Sequence, residues 1–136
     1  MKIVLDTNCL LPAIFPRSKH HWIWESFLRG DFTLCYTNEI MVEYEELLLR
    51  LYSSEMTEIA MHLLLNSRNA EKITPYFKWN LISVDPDDNK FVDCALNGGV
   101  NYIVTNDKHF NVLKEIDFPY VEVVNIEEFR EILLGR

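Results

Sequence analysis

The chain has 136 residues, 49% of them hydrophobic, 12% aromatic and 25% charged, so it suits one domain with its own core and is neither a two-domain chain nor a disordered one. Thirteen Lys and Arg against 21 Asp and Glu leave a formal net charge of −8, which argues against a broad electrostatic hold on nucleic acid unless bound cations offset part of it. Cys9, Cys35 and Cys94 form no CxxC pair, and the four glycines are too scattered for a dinucleotide or Walker phosphate loop.

The first apolar run, KIVL, stops at Asp6, Thr7 and Asn8, as a buried strand does when it opens into a loop. No apolar run approaches the roughly 18 residues that span a bilayer, and Asp6 comes too early for a signal-peptide core. A cytoplasmic protein with reduced thiols and no membrane partner is the expectation. A helix is predicted from Cys9 to Phe15, broken by Pro16, and another from a Ser18 cap through Trp22, Trp24 and Phe27 to Gly30. FTLCY reads as the second strand. Thr37 or Asn38 caps a helix from Glu39 to about Leu51, whose apolar face carries Ile40, Tyr44, Leu47, Leu48 and Leu51. Ser53 and Ser54 restart a helix through Ile59, Met61, Leu63 and Leu64, and a further short helix is expected between Asn66 and Pro75. LISV is the predicted third strand, Asp85 and Pro86 open the next helix, and Gly98 with Gly99 closes it. YIV and VEVV are the fourth and fifth strands, and Ile126 to Leu134 forms a final helix. This alternation predicts an α/β fold: one domain over residues 1–136, three-layered, with a mostly parallel five-stranded sheet covered on both faces. Ligands of such sheets bind beyond the carboxyl ends of the strands.

Several acids fall at that rim. IVL runs into Asp6, and YIV runs through Thr105 and Asn106 into Asp107; each acid alone is also the sort of residue that suits a loop after a strand. On the helix capped by Asp85, stepping 100° per residue from Asp88 puts Phe91, Val92, Ala95 and Leu96 on its side, whereas Asp87 and Lys90 point away. Helix-dipole compensation accounts for Asp85 and Asp87 but not for an acid turned toward the core side. Asp93 lies further round, as a peripheral acid. In the helix after the second strand, Glu39, Glu46 and Arg50 read as a solvated stripe, while Glu43 borders the apolar face and can reach inward. If Asp6, Glu43, Asp88 and Asp107 converge, like charges about 4 Å apart repel by ~4 kcal/mol at an effective dielectric of 20. Protons or cations must then enter, and an all-oxygen carboxylate site favours Mg²⁺ or Mn²⁺ over zinc.

Four segments carry a resemblance, in this order: LDTN, TNEIMVE, DPDDNKFVDCAL and YIVTNDKHF. Together they resemble the PIN-domain family of metal-dependent nucleases, and within it the VapC-like toxins of toxin–antitoxin pairs. The resemblance implies a Rossmann-like sheet and a catalytic, metal-holding cluster of Asp6, Glu43, Asp88 and Asp107. Thr7, Asn8, Thr105 and Asn106 would be its supporting polar groups, with Asp85, Asp87 or Asp93 able to share the role of Asp88. It further implies Mg²⁺ or Mn²⁺, endoribonuclease activity on RNA phosphodiester bonds, a homodimer and a small antitoxin partner. Arg17, Lys19, Lys90 and Lys108, with His20, His21, Trp22 and His109 near them, are the candidate RNA contacts; Trp22 and Trp24 suit a core or dimer interface better than base stacking, the histidines suit the surface better than a metal, and Cys9 reads as a packed side chain. The rival reading is a catalytically inactive PIN domain that binds protein or RNA. A strand-end aspartate phosphatase fails on Asn8, which stands where the second acid of a DxD pair belongs, and a phosphorelay receiver lacks a clear phosphoacceptor after LISV.

Overall fold

Five short strands pair side by side in the order β3-β2-β1-β4-β5, every pair parallel, in a computed structural model that describes residues 1–135. The chain order is β1 (Lys2–Leu5), α1 (Thr7–Ile14), α2 (His21–Arg29), β2 (Thr33–Tyr36), α3 (Asn38–Leu51), α4 (Ser54–Asn66), β3 (Ala70–Lys72), a 3₁₀ turn at Pro86–Asp88, α5 (Asn89–Gly98), β4 (Tyr102–Val104), a 3₁₀ stretch at Lys108–Glu115, β5 (Val123–Val124) and α6 (Ile126–Leu134). The fold is the predicted α/β arrangement, a five-stranded parallel sheet with helices on both faces. Among the described residues no helix is long and apolar enough to cross a membrane.

The central strands explain the architecture. Ile3, Val4 and Leu5 of β1, Leu34 and Cys35 of β2, and Ile103 and Val104 of β4 are all buried, so consecutive residues need cover on opposite sides, which crossover helices supply. Local chemistry starts and stops those helices. Asp6 caps α1 through the Asn8 N–H, Thr37 caps α3 through the Ile40 N–H, Ser53 caps α4 through the Met56 N–H, and Asn125 and Glu128 form a capping box on α6. Gly30 and Gly99 close α2 and α5 at φ +83° and +59°, a conformation that a side chain would strain.

Trp24 is buried and Trp22 packs on Phe129 of α6 at 5.9 Å between centroids. Trp24 is therefore a core residue, and Trp22 packs half-buried against the edge of that core. Cys9, Cys35 and Cys94 are buried free thiols.

The expected third strand is absent from LISV. Only Ile82 of that segment is buried, and both of its backbone polar groups are taken by one side chain: its N–H donates to Asn89 Oδ1 at 2.9 Å and its carbonyl accepts from Asn89 Nδ2 at 2.8 Å. The sheet is completed instead by Ala70–Lys72, inside the span expected to be helical, as an edge strand on β2 with Glu71 paired to Lys2 of β1 at 2.9 Å. Edge strands need little apolar content, so AEK carries no hydrophobic signal. Asn69 fixes its start by donating to the carbonyls of Phe27 and Phe32. The helix expected from Asp85 is split as well, with α5 proper beginning only at Asn89.

Tyr44 is fully buried in α3, and its hydroxyl donates to the Leu5 carbonyl at 2.5 Å, one residue before Asp6. Tyr44→Phe removes that bond and should cost about 1 to 2 kcal/mol, read as a lower urea midpoint at unchanged slope; an unchanged midpoint would show that the bond does not anchor the end of β1.

Candidate metal centre

In a parallel sheet every strand delivers its carboxyl end to the same rim, and β1 and β4 are neighbours with Leu5 in register with Val104. The residues that follow them therefore meet. Asp6 is 5% exposed; its Oδ2 accepts from the Thr105 hydroxyl at 2.7 Å and its Oδ1 from the Asn8 N–H at 3.4 Å. Thr105 Oγ1 in turn accepts the Asp107 N–H at 3.0 Å, so a single hydroxyl sets the spacing of the two acids. Asp6, Asn8, Cys9, Asn106 and Asp107 line a cleft of about 270 Å³.

The third acid comes from the 3₁₀ turn. Asp85 caps it by accepting the Asp87 N–H at 3.2 Å, and Asp88 is turned inward, with its side chain 14% exposed and Oδ2 3.3 Å from His109 Nδ1. That nitrogen is also 3.4 Å from Asp107 Oδ1, so His109 bridges the two acids. Asp85, Asp88 and His109 each offer a ligand atom within 4.8 Å of the others.

Glu43 arrives from α3, as its place on the border of the apolar face predicts. Its Oε2 accepts from the Thr7 hydroxyl, and its Oε1 lies 2.8 Å from Lys90 Nζ. Lys90 corrects the expectation that it points away: its side chain is 5% exposed, between Glu43 and Asp87, and Asp87 Oδ2 is 2.7 Å from Nζ. The reason is that α5 is buried on nearly every side from Asn89 to Ala95, so the side of the helix away from Phe91 and Val92 meets α3 and its Glu43 where the rotation leaves solvent.

The electrostatics follow from this packing. Burial pushes the Asp6 carboxyl up, against the Thr105 hydrogen bond, and Asp107 and Glu43 push it further. Burial likewise pushes Asp88 up to about 6, opposed by His109 and reinforced by Asp85, Asp107 and Asp6. Burial pulls the Lys90 ammonium down, but Asp87 and Glu43 more than offset it and hold it above its ordinary range. Cys9, pushed up to about 12 by burial, stays a thiol.

The remaining predicted residues divide by what they touch. Asn8 is exposed at the lip of the cleft, while Asn106 accepts the Ile126 N–H at 3.2 Å and so fastens the start of α6. Arg17, Lys19 and Lys108 are exposed. Asp93 is buried, and its carboxylate accepts the Trp79 N–H at 3.0 Å. His109 is the group that sequence reasoning left on the surface; its signal is the Asp107-x-His109 spacing, in which the acid caps the following turn through the His109 N–H at 2.8 Å.

Asp6, Asp88 and Asp107 could hold a hard divalent cation: the donors are carboxylate oxygens, burial has taken much of the water from Asp6 and Asp88 while Asp107 stays open to the cleft, and their mutual repulsion falls when a cation enters. The arrangement defines an acid-lined site at the carboxyl rim of a parallel α/β sheet. The chain belongs to the PIN domain family, whose model matches residues 2–109. Among solved structures it is similar to VapBC2 from Rickettsia felis, there bound to a DNA fragment from the promoter, with a TM-score of 0.64 at 18% identity over 92% of this chain and 98% of that one. FitAcB from Neisseria gonorrhoeae gives 0.56 at 17% identity over 92% and 98%, and PAE2754 from Pyrobaculum aerophilum gives 0.57 at 14% over 100% and 97%. A search of curated protein sequences gives no significant match.

A carboxyl whose pKa is raised by folding favours the folded state when protonated and disfavours it when ionised. The contribution of Asp88 is thus lost as pH rises from about 4, the unfolded value, through about 6. Asp88→Asn should stabilise the metal-free protein by about 1 kcal/mol at pH 7.5, after allowance for solvent screening, and by nothing at pH 4. Thermal melts in EDTA at the two pH values check this, and a variant that is less stable at pH 7.5 would contradict it.

Proposed function

We propose that this chain is a divalent-metal-dependent endoribonuclease that hydrolyses RNA phosphodiester bonds, and that it is the toxin of a toxin–antitoxin pair. The observation that carries the reading is the meeting of Asp6, Asp88 and Asp107, from three separate elements, in a partly desolvated cluster at the sheet's ligand-binding rim. Structural acids have no reason to converge at a cost; acids that hold a cation do.

Asp6, Asp88 and Asp107 would hold Mg²⁺ or Mn²⁺. When bound, such a metal lowers the pKa of a water and offsets the charge of the phosphate under attack. The chain's own groups do the rest. Thr105 fixes Asp6 and the Asp107 backbone in one geometry, His109 restrains Asp88 against Asp107, and Asn8 stands at the cleft lip, where its amide can orient water or a phosphate oxygen. Lys108 and Lys114 line an adjoining cleft of about 310 Å³, where they can contact phosphate oxygens, although Asp107, Glu127 and Glu128 line it too. The fold shared with VapBC2 and FitAcB supports the toxin role and a small antitoxin partner, and a homodimer is part of the same proposal.

A second reading, an inactive PIN domain that binds protein or RNA, is favoured by one observation, the Lys90 ammonium seated directly on Glu43. Cleavage of a mixed RNA panel in Mn²⁺, Mg²⁺ or EDTA separates the two. The wild type should cut with either metal and not in EDTA, Asp88→Asn purified identically should fall to the EDTA level, and Asp93→Asn should keep its activity because its carboxylate serves the Trp79 backbone. Equal activity in wild type and Asp88→Asn would remove Asp88 from the mechanism.

A further inference from the structure

Lys90 is the one Lys or Arg buried among the described residues, and it is buried within the acid cluster. Its ammonium has three protons and three oxygen partners: Glu43 Oε1 at 2.8 Å, Asp87 Oδ2 at 2.7 Å and the Asp87 carbonyl at 3.1 Å. Its Nζ also lies 5.3 Å from the centroid of the neighbouring Phe91 ring. Glu43 is equally committed, since Lys90 takes one carboxylate oxygen and the Thr7 hydroxyl the other. The other acids are held differently. Asp6 accepts from the neutral Thr105 hydroxyl and the Asn8 N–H, and Asp88 and Asp107 share only His109.

Lys90 is buried while Glu43 keeps 23% of its side-chain exposure, and an ion pair held from the buried side resists exchange of its cation, because removing Glu43 would strand the ammonium in a low-dielectric setting. We propose that Lys90 is a positioning residue that acts as a built-in cation: it withdraws Glu43 from the metal, leaves one divalent ion to Asp6, Asp88 and Asp107, and stands where a second ion would otherwise be drawn. This deepens the nuclease reading and rests on it. Glu43 then shapes the site through Thr7, next to Asp6 in the chain, without ligating the metal.

Calorimetric titration of the full chain with Mn²⁺ tests the proposal, with wild type, Glu43→Gln, Lys90→Met, Lys90→Arg and the double variant compared. Wild type, Glu43→Gln and Lys90→Arg should each bind one equivalent. Lys90→Met, with Glu43 released, should bind a second, and the double variant should return to one. Metal-free melts accompany the titrations: Lys90→Met should melt lower than wild type and recover on addition of Mn²⁺, whereas a merely structural lysine would shift the melt and leave the stoichiometry alone. If Lys90→Met does not fold, Glu43→Gln decides, because loss of Mn²⁺ binding there would make Glu43 a ligand and overturn the proposal. One equivalent in folded Lys90→Met, at wild-type affinity, would also overturn it while leaving the nuclease reading intact. No Mn²⁺ binding by the wild type would instead remove the nuclease reading, and this inference with it.

Discussion

Repulsion between carboxylates that the fold forces together is the constraint around which the rest of this molecule is arranged. Parallel pairing of β1 and β4 leaves Asp6 and Asp107 on one rim, and the turn before α5 adds Asp88. Asp6 and Asp88 each feel the charge of the other acids of the cluster as well as their own loss of water. Burial adds the larger penalty, and the neutral donors found there, the Thr105 hydroxyl and the Asn8 N–H, only partly offset it, which is why the Asp6 carboxyl is still pushed up. Such a cluster is relieved either by a proton or by a cation.

The scaffold explains how the strain is borne. The rim acids stand on strands whose apolar residues are buried on both sides, and Tyr44 ties the last residue of β1 to α3 from within the core. The same helix carries Glu43, one residue before Tyr44, so the anchor and the fourth acid are set by a single element. Helix α5 faces β1, β2 and β4, and its first turn carries Lys90 into the cluster. Positive charge is thereby supplied where Glu43 enters and withheld where Asp6, Asp88 and Asp107 meet, a division that gives the two parts of the cluster different tasks.

Much of this was legible in the sequence because the signals were local. KIVL and YIV are continuous apolar runs that end in acids, Thr37 and Ser53 are caps, and Glu43 sits at the edge of a clear helical stripe. What escaped were features set by tertiary partners. LISV has strand composition, but the Asn89 amide occupies the Ile82 backbone in place of a neighbouring strand, while the polar AEK pairs because β2 offers it an open edge. Lys90 was turned the wrong way because α5 is covered on nearly every side, by α3 as well as by the sheet, and the place of His109 between Asp88 and Asp107 depends on residues 21 positions apart.

The most direct test of the central claim is the position of the cation itself, read from anomalous scattering at the manganese edge in crystals of the full chain soaked with Mn²⁺. The account predicts one strong peak in ligand contact with carboxylate oxygens of Asp6, Asp88 and Asp107, with Glu43 still on Lys90. A peak held by Asp85 and His109 without Asp6, or no peak at the rim at saturating Mn²⁺, would contradict it.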